Sequence, residues 1–257
     1  MVLTVNIGNT SITIGAYQEE HQLFCAQFHS SLTETADEYA IRLQALLSLH
    51  HAEALAVDGA IVGSVVPVLT GPLIDALHML YPVRVLTVGP GLKSGLRLRI
   101  DDPGQLGADL LCGVVAALNL AQRPVVVVSA DTAISIMAAN ARHELVGGAF
   151  LPGPQLSLAS LIQNTAQLPQ IDLAGTDVPP VLGTNTAACL RSGVILGTAS
   201  LLDGMARRFC AELGSETTFF ATGSLPPSIR AACRTPLRYE ESLISDGLYA
   251  IWQRNRK

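Results

Sequence analysis

Two short polar turns carry residues that could hold phosphate. The first is Gly8-Asn9-Thr10 and the second is Ser129-Ala130-Asp131-Thr132. Backbone N–H groups in tight turns can form nests for phosphate oxygens, and a glycine lets a phosphate approach the backbone. Thr10 and Thr132 would add hydroxyl donors. An ordinary hairpin is the alternative for the first turn, since Gly-Asn is a favourable turn pair.

The segments beside each turn predict strands. β-branched residues dominate Val2–Ile7 and Ser11–Tyr17 around the first turn, and Pro124–Val128 and Ala133–Met137 around the second. A third strand is predicted after each pair, at Leu23–His29 and Glu144–Phe150. A strand–turn–strand unit that recurs in the second half predicts a duplicated α/β architecture, although short apolar patterns also recur by chance.

Helices and further strands separate these units. Thr35 and Glu38 form a capping-box pattern before a helix, and Pro67 suits the first position of another. Apolar periodicity predicts the remaining helices, at Ala108–Leu120, Leu156–Ala166, Ala187–Leu213 and Glu241–Arg254. Further strands are predicted at Gly59–Val65, Val83–Val88 and Thr217–Thr222.

Composition limits the classes of function. The 257 residues are 49% hydrophobic and 14% charged, which excludes a disordered chain and allows one large domain or two lobes. The net charge of −5 gives no basic surface for nucleic acid or an anionic membrane. The five cysteines lack CxxC spacing, and no signal peptide or membrane-spanning stretch is evident. We therefore expect a soluble, cytoplasmic protein with reduced thiols.

Several segments together resemble the type III pantothenate kinase family, and the match runs through nearly the whole chain. Each is weak alone, but they occur in order and with compatible spacing. They are Asn6-Ile7-Gly8-Asn9-Thr10, Ser64-Val65-Val66-Pro67, Gly89–Leu96, Asp102-Pro103 with Gly107-Ala108-Asp109, Gly147-Gly148-Ala149 with Pro152-Gly153, Thr165 with Leu168-Pro169, Asn185-Thr186 with Ser192-Gly193, and Ala221-Thr222-Gly223-Ser224.

The resemblance implies a duplicated actin/ribonuclease H-like α/β fold, with two lobes of mixed β-sheet around a nucleotide cleft that the two turns face. We expect an N-terminal lobe at residues 1–119 and a C-terminal lobe at 120–257. The implied reaction joins ATP and pantothenate to give 4′-phosphopantothenate, the first step of coenzyme A biosynthesis. The implied assembly is a dimer, with Mg²⁺ at the phosphates and a monovalent cation near the subunit interface.

Residue roles follow from the matching positions. Asp109 would be the catalytic base that accepts the pantothenate hydroxyl proton. A plain helix-start carboxylate is the alternative for Asp109. Gly107 and Thr186 would contact the substrate, and Gly223 the adenosine. The phosphates of ATP would be held by Asn6, Gly8, Asn9, Thr10 and Thr132.

The chain departs from the family pattern where charge matters. Asn6 replaces an aspartate, so the first turn loses a carboxylate for Mg²⁺. Ser129 replaces the aspartate that the family associates with K⁺ or NH₄⁺, which argues against a bound monovalent cation. Asp131 replaces a glycine and would repel phosphate, unless it holds a metal from a shifted position. Leu110 replaces the arginine that grips the substrate, and Ile100 stands where an aromatic contact is expected.

These departures leave three interpretations. The chain is a kinase subunit completed by itself or by a type III paralogue, an unorthodox autonomous kinase, or a non-catalytic regulatory or binding protein on a kinase fold. Gly193 and Gly197 lie four residues apart on one face of a predicted helix. Small residues allow close helix approach, either to another subunit or within the chain.

Overall fold

The computed structural model describes residues 1–121 and 123–256. By their packing, they form two compact units. The first unit contains Met1–Leu96, Asp101–Ala116 and Ser242–Lys257, and the second contains Arg97–Ile100 and Ala117–Glu241. The division into lobes at residues 119 and 120 remains a proposal for the domain boundaries, and the C-terminal segment packs with the first unit.

The first unit is built on a five-stranded sheet with the order β3-β2-β1-β4-β5. Strand β1 pairs antiparallel with β2 and parallel with β4. The strands are β1 Val2–Ile7, β2 Ser11–Gln18, β3 His21–His29, β4 Gly59–Ser64 and β5 Val85–Thr87. The helices are α1 Ala36–Leu49, α2 Pro67–Leu80, α3 Ala108–Leu120, whose last turn belongs to the second unit, and α7 Leu243–Asn255.

The second unit contains a six-stranded sheet with the order β11-β10-β7-β8-β9-β6. Its strands are β6 Arg97–Leu98, β7 Val125–Ala130, β8 Ala133–Ala139, β9 Glu144–Pro152, β10 Thr218–Gly223 and β11 Leu237–Tyr239. Its helices are α4 Pro154–Gln163, α5 Thr186–Leu213 and α6 Pro227–Ala232.

The two sheets share one topology, which confirms the duplicated α/β fold. In each, an antiparallel meander of three strands is extended by two parallel strands on the side of its first strand. The second sheet adds β6 at the free edge of the meander. Parallel strands need crossover connections, and α2 and α6 supply the corresponding ones in the two units.

Most predicted elements are present, with ends that differ by a few residues. The capping box of α1 forms as predicted, with the Thr35 side chain and the Glu38 backbone N–H paired and the reverse bond also made. The second polar turn is shorter than predicted, because Ser129 and Ala130 pair with β8 inside strand β7. β6, β11 and α6 had no prediction, since elements of two to six residues carry too little periodicity.

Each unit has its own apolar core. In the first, Leu3, Ile7 and Leu73 are fully buried in one cluster. On the other face of that sheet, α7 buries Leu248 and Ile251, which explains why the C-terminal segment packs with the first unit. Among the described residues, no helix combines the length and apolar character needed to cross a bilayer.

Candidate active site

Gly8 shapes the first turn. Its N–H donates a 2.9 Å hydrogen bond to the carbonyl oxygen of Ser11, closing the hairpin between β1 and β2. A Cβ atom at Gly8 would lie 3.0 Å from the same oxygen, closer than most side chains tolerate. Because the Gly8 N–H closes the turn, the groups at its exposed tip belong to Asn9 and Thr10.

Ser30 fixes this turn from the end of β3. Its hydroxyl donates a 2.6 Å hydrogen bond to the carbonyl oxygen of Gly8. Its backbone N–H donates a 3.0 Å bond to the carbonyl oxygen of Thr10. Ser30 is not among the predicted site residues. A polar residue just after a predicted strand was the available signal, and only the pairing of β2 with β3 shows its target.

Asn6 lies near the start of α3. It pairs with Gly63 across the parallel β1–β4 ladder. A Cβ atom at Gly63 would lie 3.9 Å from the Asn6 side-chain oxygen and 3.5 Å from the Cβ of Ala108. The amide of Asn6 and the first residue of α3 therefore both lie against Gly63.

Gly107 makes room for the Asp109 carboxylate. A Cβ atom at Gly107 would lie 2.6 Å from Asp109 Oδ1, which a real side chain could not do. The N–H of Leu111 donates to the Gly107 carbonyl oxygen, so the helix starts there. Burial, and then the Asp109 charge, raise the pKa of the Cys112 thiol one turn along α3. Gly107 thus leaves space for the Asp109 carboxylate. Its predicted contact with the substrate stays a prediction.

The second turn is held by Gly153. The N–H of Asp131 donates a 2.9 Å bond to the carbonyl oxygen of Ala133. The N–H of Gly153, at the end of β9, donates a 3.0 Å bond to the carbonyl oxygen of Thr132. A Cβ atom at Gly153 would lie 2.5 Å from the Asp131 carbonyl oxygen. This explains why a glycine stands at position 153.

Gly223 lies beside the second turn. Strands β7 and β10 are parallel neighbours, so their carboxyl ends meet at one sheet edge. Ser224 N–H donates a 2.6 Å bond to the carbonyl oxygen of Ala130. Gly223 has a φ of +79°, and a Cβ atom there would lie 2.3 Å from that oxygen. The structure thus brings Thr132 and Gly223, predicted contacts of the phosphates and adenosine, to one edge of one sheet.

The charge at this edge is Asp131. Desolvation raises the pKa of its carboxyl group, and the Thr132 N–H only partly opposes this. Ser129, where the family has an aspartate, pairs with Ser135 in the β7–β8 ladder and brings no charge. The loss of a monovalent-cation site at position 129 stays a prediction.

Within the described ranges, no three His, Cys, Asp or Glu side chains cluster as metal ligands would. The first turn offers an amide at Asn6 where Mg²⁺ prefers a carboxylate. These residues do not fit a metal held by the protein alone.

Thr186 lies at a cavity of the second unit. It is the first residue of α5 and lines a mostly apolar cavity of about 490 Å³ together with Ile134 and Pro152. Those two residues belong to β8 and β9, near the second turn. A second cavity, of about 470 Å³, lies beside the Gly223 turn and is lined by residues of α4, the 170–174 segment, Ser224, Pro226 and Pro227.

Other residues of the family-like segments form hydrogen bonds with backbone N–H groups. The Ser64 hydroxyl accepts from Val66 N–H at 3.0 Å at the start of α2, and Asp102 accepts from Gly104 N–H at 3.0 Å. Asn185 caps α5 by accepting from Ala188 N–H at 2.9 Å. Leu110 and Ile100 are half-buried and supply no charge.

The chain matches one family of known proteins along most of its length. The family model described as type III pantothenate kinase matches residues 2–208. The type III pantothenate kinase of Roseiflexus castenholzii is 37% identical over 257 residues, covering 100% of both chains.

Solved structures share the fold. A protein described as a Baf family transcriptional activator from Campylobacter jejuni aligns with a TM-score of 0.60 at 17% identity, covering 99% of this chain and 98% of its own. A protein from Sinorhizobium meliloti assigned as a 2-dehydro-3-deoxygalactonokinase gives 0.55 at 14% identity, covering 98% of each chain. At these identities the likeness shows the fold alone.

Proposed function

The chain belongs to the type III pantothenate kinase family, and on that basis we propose that it takes part in the phosphorylation of pantothenate by ATP. The products would be 4′-phosphopantothenate and ADP. We further propose that it works as one subunit of an oligomer whose second subunit completes the site. The observation that carries the proposal is the Asp109 carboxylate beside Gly107, at the start of α3.

Asp109 would act as the general base. Its carboxylate would accept the proton of the pantothenate hydroxyl as that oxygen attacks the γ-phosphorus. A new oxygen–phosphorus bond forms, and the bond from the γ-phosphorus to the bridging oxygen breaks, leaving ADP. Gly107 supports this role because no other residue leaves space for the observed carboxylate position.

The turns would hold ATP. The N–H groups at the tip of the first turn and the Thr10 and Thr132 hydroxyls are donors suited to phosphate oxygens. Gly223 would receive the adenosine, with the 470 Å³ cavity beside it as space for the nucleoside. Phosphoryl transfer depends mainly on positioning and charge stabilisation, so rigid turns of this kind suit it.

A second subunit would cover one face of α5. A Cβ atom at Gly193 or Gly197 would meet nothing within 4 Å, so this chain leaves both glycines open. Both line the apolar cavity that contains Thr186. Exposed apolar side chains, 76% and 83% exposed at Val181 and Leu182, lie on the loop before α5. We propose that another copy or a type III paralogue packs here and supplies the missing substrate-binding charge.

Mg²⁺ would have to be held mainly by the phosphates of ATP, because the first turn supplies an amide at Asn6. Asp131, in the second turn, would hold a metal only in a shifted position. We assign no step to either cation. A cytoplasmic location would suit the five cysteines, which form no disulfide within the described residues.

A non-catalytic binding or regulatory protein is the second candidate. The replacements at Asn6, Leu110 and Ser129 and the added charge of Asp131 favour it, because they remove charges that the reaction uses and place one where phosphate would lie. Such a protein would keep nucleotide or pantothenate binding and lose transfer.

One assay separates these possibilities. Pantothenate-dependent release of ADP is measured for the purified chain alone, for a paralogue with complete motifs alone, and for their mixture. We expect a rate in the mixture that exceeds the sum of the separate rates. An ordinary kinase rate from the chain alone, about 1–100 per second, would remove the need for a partner. A mixture no faster than that sum would favour the non-catalytic protein.

A further inference from the structure

We propose that Tyr239 is a positioning residue for nucleotide binding, holding the Gly223 turn in the shape that receives the nucleoside. This inference rests on the proposed binding of ATP at Gly223. The phenolic hydroxyl of Tyr239 donates a 2.9 Å hydrogen bond to the carbonyl oxygen of Gly223. The bond joins the last residue of β11 to the last residue of β10.

The Gly223 turn is fixed on two sides. On one side, the Ser224 N–H donates to the carbonyl oxygen of Ala130 at the end of β7. On the other, the Tyr239 hydroxyl binds the Gly223 carbonyl. The peptide between Gly223 and Ser224 therefore has its oxygen and its N–H engaged by different strands, which fixes the peptide plane at a residue with positive φ.

The hydroxyl is additional to the bonds that hold the strands. β10 and β11 already pair in parallel register, with Ala221 opposite Tyr239. The Glu240 N–H donates a 2.9 Å bond to the Ala221 carbonyl oxygen. Because Gly223 is exposed, the Tyr239–Gly223 bond adds little to folding, whereas it sets the orientation of the turn.

Arg230 supports Tyr239 from α6. Its guanidinium carbon lies 3.8 Å from the centroid of the Tyr239 ring, a close cation–π contact. Its Nε atom is buried and has no hydrogen-bond partner within the described part of the chain, so the ring is a main contact of this group. The cation draws electron density from the ring and makes the hydroxyl a better donor. Burial raises the pKa of Tyr239 and Arg230 opposes it, so the donor proton is retained near neutral pH.

The turn forms part of the wall of the 470 Å³ cavity, through Ser224, Pro226 and Pro227. A rotated Gly223–Ser224 peptide would move that wall. Binding of the nucleoside would weaken, while the turns that are proposed to hold phosphate would be unchanged. Loss of the hydroxyl should therefore weaken binding of the nucleoside part of ATP and leave binding of its phosphates unchanged.

The test compares two ligands on the full-length chain by isothermal titration calorimetry, ATP and inorganic tripolyphosphate. For Tyr239→Phe we expect the Kd for ATP to rise about three- to tenfold, with the Kd for tripolyphosphate unchanged. An unchanged ATP Kd, or an equal rise for both ligands, would overturn the inference. A wild-type chain that binds neither ligand would instead overturn the proposed function.

Two further variants make the test specific. Tyr81→Phe removes a hydroxyl that has no hydrogen bond within residues 1–121 and 123–256, and it should change neither Kd. Arg230→Met leaves the Tyr239 hydroxyl in place and removes the cation, so we expect a smaller rise in the ATP Kd alone. If Tyr239→Phe also lowers the unfolding temperature, the test depends on Arg230→Met. An unchanged Kd for ATP in Arg230→Met would then contradict the proposal.

Discussion

The hydroxyl of Ser30 lies 2.6 Å from the carbonyl oxygen of Gly8 and donates a hydrogen bond to it. Ser30 also binds the Thr10 carbonyl through its backbone N–H, so one residue holds both sides of the first turn. The N–H groups that we propose for phosphate binding are oriented by this clamp.

Ser30→Ala should weaken binding of ATP and of tripolyphosphate equally. A neutral hydrogen bond is worth about 0.5–1.5 kcal/mol, which corresponds to roughly a two- to tenfold rise in each Kd. Calorimetric titration of both ligands measures this. Ser31→Ala is the matched control, because within the described residues the Ser31 hydroxyl has a hydrogen bond only with Thr33, on the surface. Equal affinities for the two variants would show that the clamp does not act on phosphate.

Gly107→Ala should displace the Asp109 carboxylate, since the new Cβ atom would lie 2.6 Å from Oδ1. A displacement of about 1 Å at a catalytic group can cost roughly 100-fold in rate. We expect this loss in pantothenate phosphorylation by the mixture with the partner subunit, with the ATP Kd unchanged.

Gly104→Ala is the control in the same segment, where a Cβ atom would meet Asp102 Oδ1 at the milder distance of 3.2 Å. A normal rate for Gly107→Ala would remove Asp109 from the role of general base. A loss in both variants would point to a disturbed segment instead.

Asp203 should make the second unit sensitive to acid. Burial alone would raise the pKa of this α5 carboxyl group, but the N–H groups of Arg234 and Thr235 outweigh burial and lower it below the ordinary 3.8. Those bonds are 2.8–3.0 Å long. A lowered folded-state pKa means that the stabilisation is complete above pH 3.8 and is lost as pH falls through the folded-state value.

Asp203→Asn should therefore lower the free energy of unfolding at pH 7 by about 1–3 kcal/mol, because a buried N–H group loses its charged acceptor. The difference in unfolding free energy between Asp203→Asn and wild type should shrink as pH falls below the ordinary pKa of an aspartate. Chemical denaturation at several pH values measures both effects. Asp75→Asn, at an exposed position of α2, is the control. A gap that stays constant with pH would contradict the role given to the Asp203 charge.

Restoring the family residues should improve ATP binding. Asn6→Asp and Ser129→Asp return carboxylates for cations, Asp131→Gly removes a charge near phosphate, and Leu110→Arg returns a substrate donor. Together we expect roughly a tenfold lower Kd for Mg²⁺–ATP. The same four changes measured without Mg²⁺ serve as the control, because the gain should then be smaller. An unchanged ATP affinity would refute the explanation of these positions.

Local patterns in the sequence predicted much of the fold. The alternation in β1 and the capping box before α1 are readable because their partners are near in sequence. The packing of α7 in the first unit was not readable, because Trp252 and Leu248 bury against residues from the other end of the chain. The same holds for the Tyr239–Gly223 bond, which depends on a three-residue strand.

Some residues of the candidate site were predictable from local sequence and others were not. Gly8, Asp109 and Gly223 were found through motifs, whereas Ser30 was not, because its partner is a backbone atom that is revealed only by strand pairing. The matching motifs also contain residues whose hydrogen bonds explain them structurally. Asn185, a helix cap, is one example.

The most direct test of the proposed kinase is formation of 4′-phosphopantothenate by the chain mixed with its paralogue, comparing wild type with Asp109→Asn. The amide keeps the shape of the side chain and cannot accept the proton. We predict that wild type raises the rate above that of the paralogue alone and that Asp109→Asn removes this gain while still binding ATP. A gain that survives in Asp109→Asn, or no gain from wild type, would contradict the proposal.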